Sequence, residues 1–238
     1  MLTSHLEPAS KLTPAEPNRP DRLETSLAAF PPEAEPELAR ASLLPERAAR
    51  HVLSAALTTK RPGGDLDLSQ LIDAVCRLEP LHKLPRQSEP TLDHGVQLLL
   101  DYSDAMLPFW RDLNQLTEQV REVVGAHTTQ VYRFDGQPTQ ARDWTASYEP
   151  QPWRPDGRPV LAATDLGSHG EETTEPRSDW VKLAKDCARA GSPLILLNPW
   201  PEHYWPKTLP PNAILIHWGA RTTAGMVRQA IKSTAAQC

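Results

Sequence analysis

The chain contains one stretch that decides its fold class, VQLLLDYSDAM at residues 96–106. Large aliphatic side chains fill most of its first half, and the run ends abruptly in the polar sequence from Asp101 to Asp104. A strand that is buried on both faces reads as a near-continuous apolar run. The carboxyl end of such a strand is where an α/β sheet opens to ligands. This stretch therefore predicts a central strand with a functional polar tip.

Three later segments repeat the pattern of a short aliphatic run with a polar end. They are PVLAATD at residues 159–165, PLILLN at residues 193–198 and AILIHW at residues 213–218. Helical apolar stripes follow the first run, precede the run at residues 193–198 and follow the last run, a pattern in which right-handed crossovers join parallel strands. We therefore predict an α/β fold with a three-layer, doubly wound and mainly parallel sheet. The polar side chains expected together at its carboxyl edge are those of Asp101, Ser103, Asp165, Asn198 and His217.

Two further segments predict strands towards one side of this sheet. HTTQVYRF at residues 127–134 alternates rather than running apolar throughout, which is typical of a strand nearer an edge. A short edge strand is expected around residues 142–146. Between the first strand and residue 127 the sequence predicts a helix that Asp104 caps. Its apolar stripe at helical spacing consists of Leu107, Trp110, Leu113, Leu116, Val120 and Val124.

Composition and charge exclude several classes of protein and partner. The chain has 238 residues, a formal net charge of −5 and three cysteines without paired spacing. A net negative charge argues against a nucleic-acid or anionic membrane surface, because either partner needs a basic face. No apolar run approaches the roughly 20 residues that span a bilayer, and the amino terminus lacks a signal-peptide core. We therefore expect a reduced, cytoplasmic protein that binds neither nucleic acid nor membrane.

The distribution of aromatic residues predicts where the main core lies. All tryptophans and tyrosines fall between Tyr102 and Trp218. Because aromatic side chains carry large burial energies, we place the α/β domain at residues 91–238. Residues 1–35 are rich in proline and poor in clustered aliphatics, which predicts a disordered leader.

The intervening residues 36–90 predict a helical segment followed by a linker. One helix should end before the Arg-Pro-Gly-Gly sequence at residues 61–64, and a second, capped by Asp67 or Ser69, should end before Pro80. The proline-punctuated residues 81–90 predict the linker. We expect these helices to dock on the α/β domain rather than to form an independent bundle.

The sequence contains no complete catalytic signature of a nucleotide-binding loop, a dinucleotide fold or a hydrolase elbow. Haloacid-dehalogenase-like phosphatases attack phosphate with an aspartate at the end of the first strand, and a second aspartate two residues later acts as the acid. Asp101 fits the first position, but Ser103 stands at the second and does no acid–base work near neutral pH. A Mg²⁺-dependent hydrolase or phosphatase using Asp101 and Asp165 is therefore the alternative function.

Two motifs occur at the tips of predicted strands, Asp101-Tyr102-Ser103 before an amphipathic helix and Thr164-Asp165-Leu166-Gly167 after a later strand. With them, residues 96–238 resemble a von Willebrand factor A-type domain. In that family these positions form a metal-ion-dependent adhesion site. Carboxylate and hydroxyl oxygens hold Mg²⁺ there, and an acidic group of the partner completes the coordination.

The resemblance implies Asp101, Ser103 and Asp165 as metal ligands of a degenerate site. Ala105 replaces the second serine of the family motif, and Thr145 is the nearest candidate for the threonine of a middle loop. A site that lacks a hydroxyl ligand should hold Mg²⁺ weakly or not at all. The simpler alternative is that these side chains cap turns where strands end, and we favour it for Ser103 and Asp104.

A narrower resemblance covers residues 66–218 and rests on the order of the segments DLDLSQLIDAVCRLEP, LLLDYSDAMLPFWRDLNQL, VYRFDG, PVLAATDLG and PLILLNPWPEHYWP. They are similar to the amino-terminal von Willebrand A-like module of large bacterial proteins that continue into a formylglycine-generating-enzyme-like domain. Those proteins accompany NTPases and peptidases in conflict-type systems. The resemblance implies a scaffold or sensor whose partner is an NTPase, a peptidase or a formylglycine-generating-enzyme-like component.

Aromatic residues in proline-rigid loops predict the contact surface for a partner. Trp and Tyr are enriched where binding energy concentrates. The alternative for any one of these side chains is that it covers a sheet edge. The residues predicted to bind the partner are Trp144, Trp200, Tyr204, Trp205 and His217. Our leading hypothesis is a non-enzymatic protein–protein interaction module that binds at the carboxyl edge of the sheet.

Overall fold

The predicted apolar runs form one sheet in the computed structural model, which describes residues 41–143, 151–168 and 177–235. Along the chain the elements are α1 (Glu46–Leu57), β1 (Thr59–Leu66), α2 (Leu68–Cys76), β2 (Arg86–Thr91), β3 (Val96–Asp101), α3 (Trp110–Val124), β4 (Thr129–Phe134), β5 (Arg142–Asp143), β6 (Val160–Ala163), α4 (Ser178–Ala190), β7 (Leu194–Asn198), β8 (Ala213–His217) and α5 (Ala224–Ala235). Six strands pair in the order β5-β4-β3-β6-β7-β8. All neighbours run parallel except β5, which is antiparallel to β4. The predicted α/β class and mainly parallel sheet are confirmed.

Strand β3 lies inside this sheet because it presents apolar side chains on both faces of the sheet. Leu98 and Leu100 enter one buried cluster, which also receives the apolar faces of α1, α3 and α5. Leu99 enters a second cluster with α4. Each fully buried leucine contributes roughly 1.5–3 kcal/mol relative to an exposed one. In the second cluster, burial raises the pKa of Cys187 to about 12, so its thiol is neutral at physiological pH.

Helix α1 is part of the main core. Its residues Val52, Leu53, Ala56 and Leu57 are buried against the sheet and the neighbouring helices. The expected docking is therefore found for α1 but not for α2, of which no residue is buried against the described part of the chain. Residues Ala41–Cys238 form one compact unit, and the predicted leader at residues 1–35 lies outside the described part of the chain.

Two predictions are wrong for residues 59–91, which we call the arm. The expected helix break at residues 61–64 lies within β1, and the expected linker at residues 81–90 contains most of β2. The two strands pair antiparallel as a separate ribbon with almost every side chain solvent-exposed. Because neither face of this ribbon is buried, its sequence needs no alternation of apolar and polar residues. The glycines and prolines that it contains suggested loops instead.

Helix α2 forms the end of the arm and begins as predicted. The Asp67 carboxylate accepts a hydrogen bond of 3.0 Å from the Gln70 amide, which caps the helix. At the base of the arm, Thr59 Oγ1 lies 2.6 Å from His94 Nδ1 and Arg61 pairs with Asp93 at 3.3 Å. The arm is thus rooted beside the start of β3, at the amino end of the sheet.

The turn after β3 also differs from the prediction. Residues Asp104–Phe109 form a 3-10 helix, and the α-helix begins only at Trp110. Asp104 lies inside this turn and is not the predicted N-cap. Because a 3-10 turn replaces the first turn of the predicted α-helix, Leu107 is 55% and Trp110 38% exposed. The sequence pattern had placed both on the buried face.

Gly95 sets the entry into β3, and its replacement by alanine tests that turn. Its φ of +75° lies in the left-handed region, and a Cβ atom there would lie 2.3 Å from the carbonyl oxygen of Thr128. We expect Gly95→Ala to lower the free energy of unfolding by about 2–4 kcal/mol, since steric clash adds to backbone strain. Urea denaturation followed by circular dichroism measures the change.

Gly191 provides the matched control for this prediction. It has a φ of +70° at the end of α4, but a Cβ atom there meets nothing within 4 Å. Gly191→Ala should therefore cost only the backbone strain, about 1–2 kcal/mol. Equal losses at both positions would contradict the role given to the Thr128 carbonyl.

Candidate functional site

The carboxyl ends of five parallel strands meet at one edge of the sheet, here called the carboxyl edge. Asp101 at the end of β3 is level with Phe134 of β4, and Asn198 of β7 is level with His217 of β8. Strand β6 lies between β3 and β7, and Thr164 and Asp165 follow it directly. The predicted meeting of these polar strand ends is confirmed.

The Asp101 carboxylate joins three segments at this edge. Its Oδ1 accepts hydrogen bonds from the amides of Ser103, at 3.0 Å, and Gly136, at 3.2 Å. Its Oδ2 accepts a hydrogen bond of 2.7 Å from the hydroxyl of Thr164, which is 63 residues away in the chain. Asp101 is only 1% exposed. The carboxylate therefore fixes the tip of β3 to the loops that follow β4 and β6.

Burial raises the pKa of Asp101 above its usual value. Hydrogen bonds from Thr164 and Ser103 oppose this effect, whereas the nearby negative charge of Asp165 adds to it. Asp165 is itself 1% exposed, and its Oδ1 accepts a hydrogen bond of 2.9 Å from the Gly167 amide. The two carboxylates are thus held beside each other by backbone donors.

The loop after β6 has an unusual backbone. Leu166 has a φ of +63° and Gly167 a φ of +74°. A positive φ is rare for a bulky residue and persists only where the surroundings hold it. Here the Leu166 side chain is buried, and its amide donates a 3.0 Å hydrogen bond to the Thr164 hydroxyl. The loop that presents Asp165 is therefore built into a fixed conformation at the carboxyl edge.

The predicted metal ligands lie close together, but the Asp101 oxygens already accept hydrogen bonds from the protein. Three protein groups already donate to Asp101, and Ala105 supplies no oxygen where the family motif has its second serine. The Ser103 hydroxyl is buried and has no hydrogen-bond partner among the described residues. No group of three His, Cys, Asp or Glu residues suited to a metal occurs in the described part of the chain. This set of oxygens does not fit a resident Mg²⁺, and weak or absent binding of Mg²⁺ stays a prediction.

Aromatic side chains form two groups of contacting rings beside these carboxylates, and the two groups meet in the chain at the neighbouring residues Phe109 and Trp110. We call Tyr102, Phe109, Trp110, Trp200 and Tyr204 the aromatic rim. Ring centroids lie 5.6 Å apart for Tyr102 and Trp110, 5.5 Å for Phe109 and Trp200, and 6.0 Å for Trp200 and Tyr204. The half-exposed Leu107 lies in the same 3-10 turn as Phe109.

Four of the predicted partner-binding residues take part in this arrangement. Trp200 and Tyr204 belong to the aromatic rim, and Trp205 contacts His217 with ring centroids 6.0 Å apart. The Trp205 indole donates a 2.8 Å hydrogen bond to the Trp200 carbonyl, so it also stabilises the loop. Trp144 lies outside the described residues.

Sequence reasoning missed three residues of this site. Leu107 and Trp110 looked like core positions of a helix, and only the proline at position 108 hinted at a different start. Thr164 was part of a recognised motif, but its bond to Asp101 depends on β3 lying next to β6. The strand order is not readable from the local sequence pattern.

A cleft of about 410 Å³ opens next to the aromatic rim. Its lining residues are Tyr102, Arg133, Phe134, Asp135, Gln140 and Arg142. The Arg133 guanidinium lies 4.8 Å from the centroid of the Tyr102 ring. This cation–π contact places positive charge at the border of the aromatic surface.

Comparison with models of protein families, with curated proteins and with solved structures finds no match. Among the described helices, none has the length and apolar character that crossing a bilayer requires. The interpretation of the carboxyl edge therefore depends on its own residues and geometry.

Proposed function

We propose that this chain is a non-enzymatic protein–protein interaction module that binds a partner protein through the aromatic rim and Leu107. The observation that carries the proposal is the exposure of Leu107 and Trp110 among the contacting aromatic side chains at the carboxyl edge. A large apolar side chain that is anchored on one side and exposed on the other can bind without further ordering. Such preorganised aromatic anchors are typical of binding hot spots.

The commitment of the carboxylates supports binding rather than catalysis. A catalytic aspartate must reach a substrate atom, whereas the Asp101 oxygens accept hydrogen bonds from three groups of the same chain. In this proposal Asp101 and Asp165 hold the loops that present the aromatic rim. Their role is to make the surface rigid.

The sheet order supports a doubly wound fold of the von Willebrand A type as part of the proposal. Numbered only within the six-stranded sheet, the strands follow the order 3-2-1-4-5-6 that is common in doubly wound sheets. Strands β3 and β6 then flank the point where the winding reverses, which is the usual ligand position in such sheets. Asp101, the Thr164–Ser168 loop and the aromatic rim lie around that point.

The proposed partner is another protein of a bacterial multi-component system. An NTPase, a peptidase or a formylglycine-generating-enzyme-like component fits the resemblance of the segments between residues 66 and 218. The module would act as a scaffold or sensor in the cytoplasm, without contact to nucleic acid or membrane.

Photo-crosslinking tests the proposed surface. The full chain carries a benzophenone amino acid at position 107, or at the exposed control position Lys185 on α4, and is incubated with lysate of the source cells. We expect a discrete crosslinked protein from position 107 and none from position 185. Trp110→Ala should reduce its yield at least about tenfold, because truncating a hot-spot tryptophan removes well over 1 kcal/mol.

Results of two kinds would overturn this proposal. The first is the same set of crosslinked proteins from both positions, or an unchanged yield in a folded Trp110→Ala variant. The second is Mg²⁺-dependent turnover of phosphate esters by the wild type that disappears in Asp101→Asn, which would establish the alternative function. Circular dichroism confirms that each variant is folded.

A further inference from the structure

The cleft next to the aromatic rim contains two arginines that face each other across a pair of strands. Arg133 of β4 and Arg142 of β5 are direct partners in the antiparallel register, so their side chains leave the same face of the sheet. The Cβ atoms of such a pair lie roughly 4.5–5.5 Å apart. Both residues are exposed and line the cleft of about 410 Å³, which we call the arginine cleft. Two guanidinium groups are thus brought to one small opening.

No ion pair neutralises these two guanidinium groups in the described part of the chain. Neither Arg133 nor Arg142 has an acidic partner there. Glu118, which lines a neighbouring hollow with Arg133, pairs with Arg121 instead, at 3.0 Å. Like charges directly opposite each other on two strands destabilise a sheet. The arginine pair therefore costs stability in the free protein, and a ligand of opposite charge would remove that cost.

The arginine cleft has the properties of a carboxylate site. The contact between the Arg133 guanidinium and the Tyr102 ring, 4.8 Å from its centroid, restricts this cation before a ligand arrives. A planar guanidinium can donate two parallel hydrogen bonds to one carboxylate. Tyr102 and Phe134 give the cleft aromatic walls, which suit the aliphatic stem of an acidic side chain. Asp135 also lines the cleft, and its negative charge repels a dianionic phosphate more strongly than a singly charged carboxylate.

We propose that the arginine cleft binds a carboxylate side chain of the partner protein, which therefore presents an acidic segment to this surface. The inference rests on the proposed function, because Tyr102 belongs both to the aromatic rim and to the wall of the cleft. An acidic side chain in the cleft brings the neighbouring residues of the same segment to the rim. Apolar contacts with the rim then supply affinity, and the arginine pair supplies selectivity for negative charge.

Selection from a library of random short peptides, with the full chain as bait, tests this inference. Enriched peptides should contain aspartate or glutamate, and their binding should weaken as the salt concentration rises. Arg133→Gln and Arg142→Gln should each reduce the affinity of an enriched peptide about tenfold or more, because each removes charge-assisted hydrogen bonds. Arg142→Lys should reduce it less, since it keeps the charge and loses only the forked geometry. Fluorescence anisotropy of the labelled peptide measures each affinity.

Arg228→Gln is the matched control for these variants. It removes the same charge from an exposed position on α5, which packs against β8 at the opposite end of the sheet from β5. The affinity for the peptide should therefore stay unchanged. An equal loss in Arg228→Gln and Arg142→Gln would reduce the effect to net charge and overturn the inference.

Unfolding in urea separates this role from a structural one. Because the two arginines repel each other, Arg142→Gln should leave the unfolding midpoint of the free chain unchanged or higher. A midpoint that falls would show that Arg142 stabilises the fold, and it would contradict the inference.

The peptides also distinguish failure of this inference from failure of the proposed function. Enrichment of no peptide, of peptides without acidic residues, or of peptides whose affinity survives both glutamine variants would overturn the acidic partner. Displacement of the peptide by inorganic phosphate but not by glutarate would assign the cleft to phosphate and overturn it as well. Peptides that depend on Trp110 but not on the arginines would leave the proposed function standing alone. Peptides that depend on the arginines but not on Trp110 would confirm the cleft and count against the aromatic rim.

Discussion

Replacing Asp101 by alanine should lower the free energy of unfolding by about 3–5 kcal/mol, the net of three lost hydrogen bonds and a relieved desolvation penalty. The change leaves the amides of Ser103 and Gly136 and the hydroxyl of Thr164 without their acceptor. A hydrogen bond to a charged group contributes roughly 1.5–3 kcal/mol, and an unsatisfied buried donor costs a similar amount. Burial of the carboxylate, which raises the pKa of Asp101, offsets part of that sum.

Asp101→Asn is the matched control, and it should cost only about 1–2 kcal/mol. The amide oxygen can still accept from the Ser103 and Gly136 amides. The amide nitrogen then faces the Thr164 hydroxyl, which can accept it on its second lone pair beside the Leu166 amide. Urea denaturation followed by tryptophan fluorescence measures both variants. A loss below about 1 kcal/mol in Asp101→Ala would contradict the central role of this carboxylate.

The same experiment tests the predicted metal site. A ligand that binds only the folded protein raises its stability in proportion to ln(1 + [L]/Kd). We expect millimolar Mg²⁺ to leave the unfolding midpoint of the wild type unchanged. A midpoint that rises with Mg²⁺ in the wild type but not in Asp101→Asn would establish Asp101 as a metal ligand.

The central sheet could be predicted because its strands carry a strong and local signal. Runs such as Leu98–Leu100 have no polar face, so they fit only a position covered on both sides. Parallel direction then followed from the alternation of strands and helices along the chain as a whole, and the meeting of Asp101, Asn198 and His217 followed from parallel direction. Each step used information contained in adjacent residues.

The details of the site were not predictable because they depend on contacts between distant residues. The bond from Thr164 to Asp101 spans 63 positions and exists only because β6 inserts next to β3. The exposure of Leu107 and Trp110 depends on a 3-10 turn whose sequence also fits the first turn of an α-helix. Local patterns do not distinguish these alternatives.

Helices α1 and α2 show the same limit most clearly, since both have an apolar stripe. Only the structure reveals that Leu53 of α1 is completely buried whereas Ile72 of α2 is 60% exposed. Periodicity identifies the apolar face of a helix, but it does not identify what covers that face. Burial of a face is a property of the whole chain and of its partners.

Replacement by aspartate should therefore affect stability very differently at Leu53 and at Ile72. We expect Leu53→Asp to remove more than about 4 kcal/mol of stability and to leave the chain largely unfolded, because it buries an unpaired charge in the main core. Leu53→Ala, which keeps the chain folded, should lose about 2–5 kcal/mol through the cavity it leaves. Ile72→Asp should stay within about 0.5 kcal/mol of the wild type, since the described part of the chain buries no residue of α2.

Urea denaturation of the three variants decides the matter. If Ile72→Asp loses as much stability as Leu53→Ala, α2 packs against its own chain in solution. If Ile72→Asp is neutral while Leu53→Ala loses several kcal/mol, the apolar side chains of α2 contribute nothing to the stability of the fold. Helix α1 would then stabilise the fold and helix α2 would not, although the two carry the same sequence pattern.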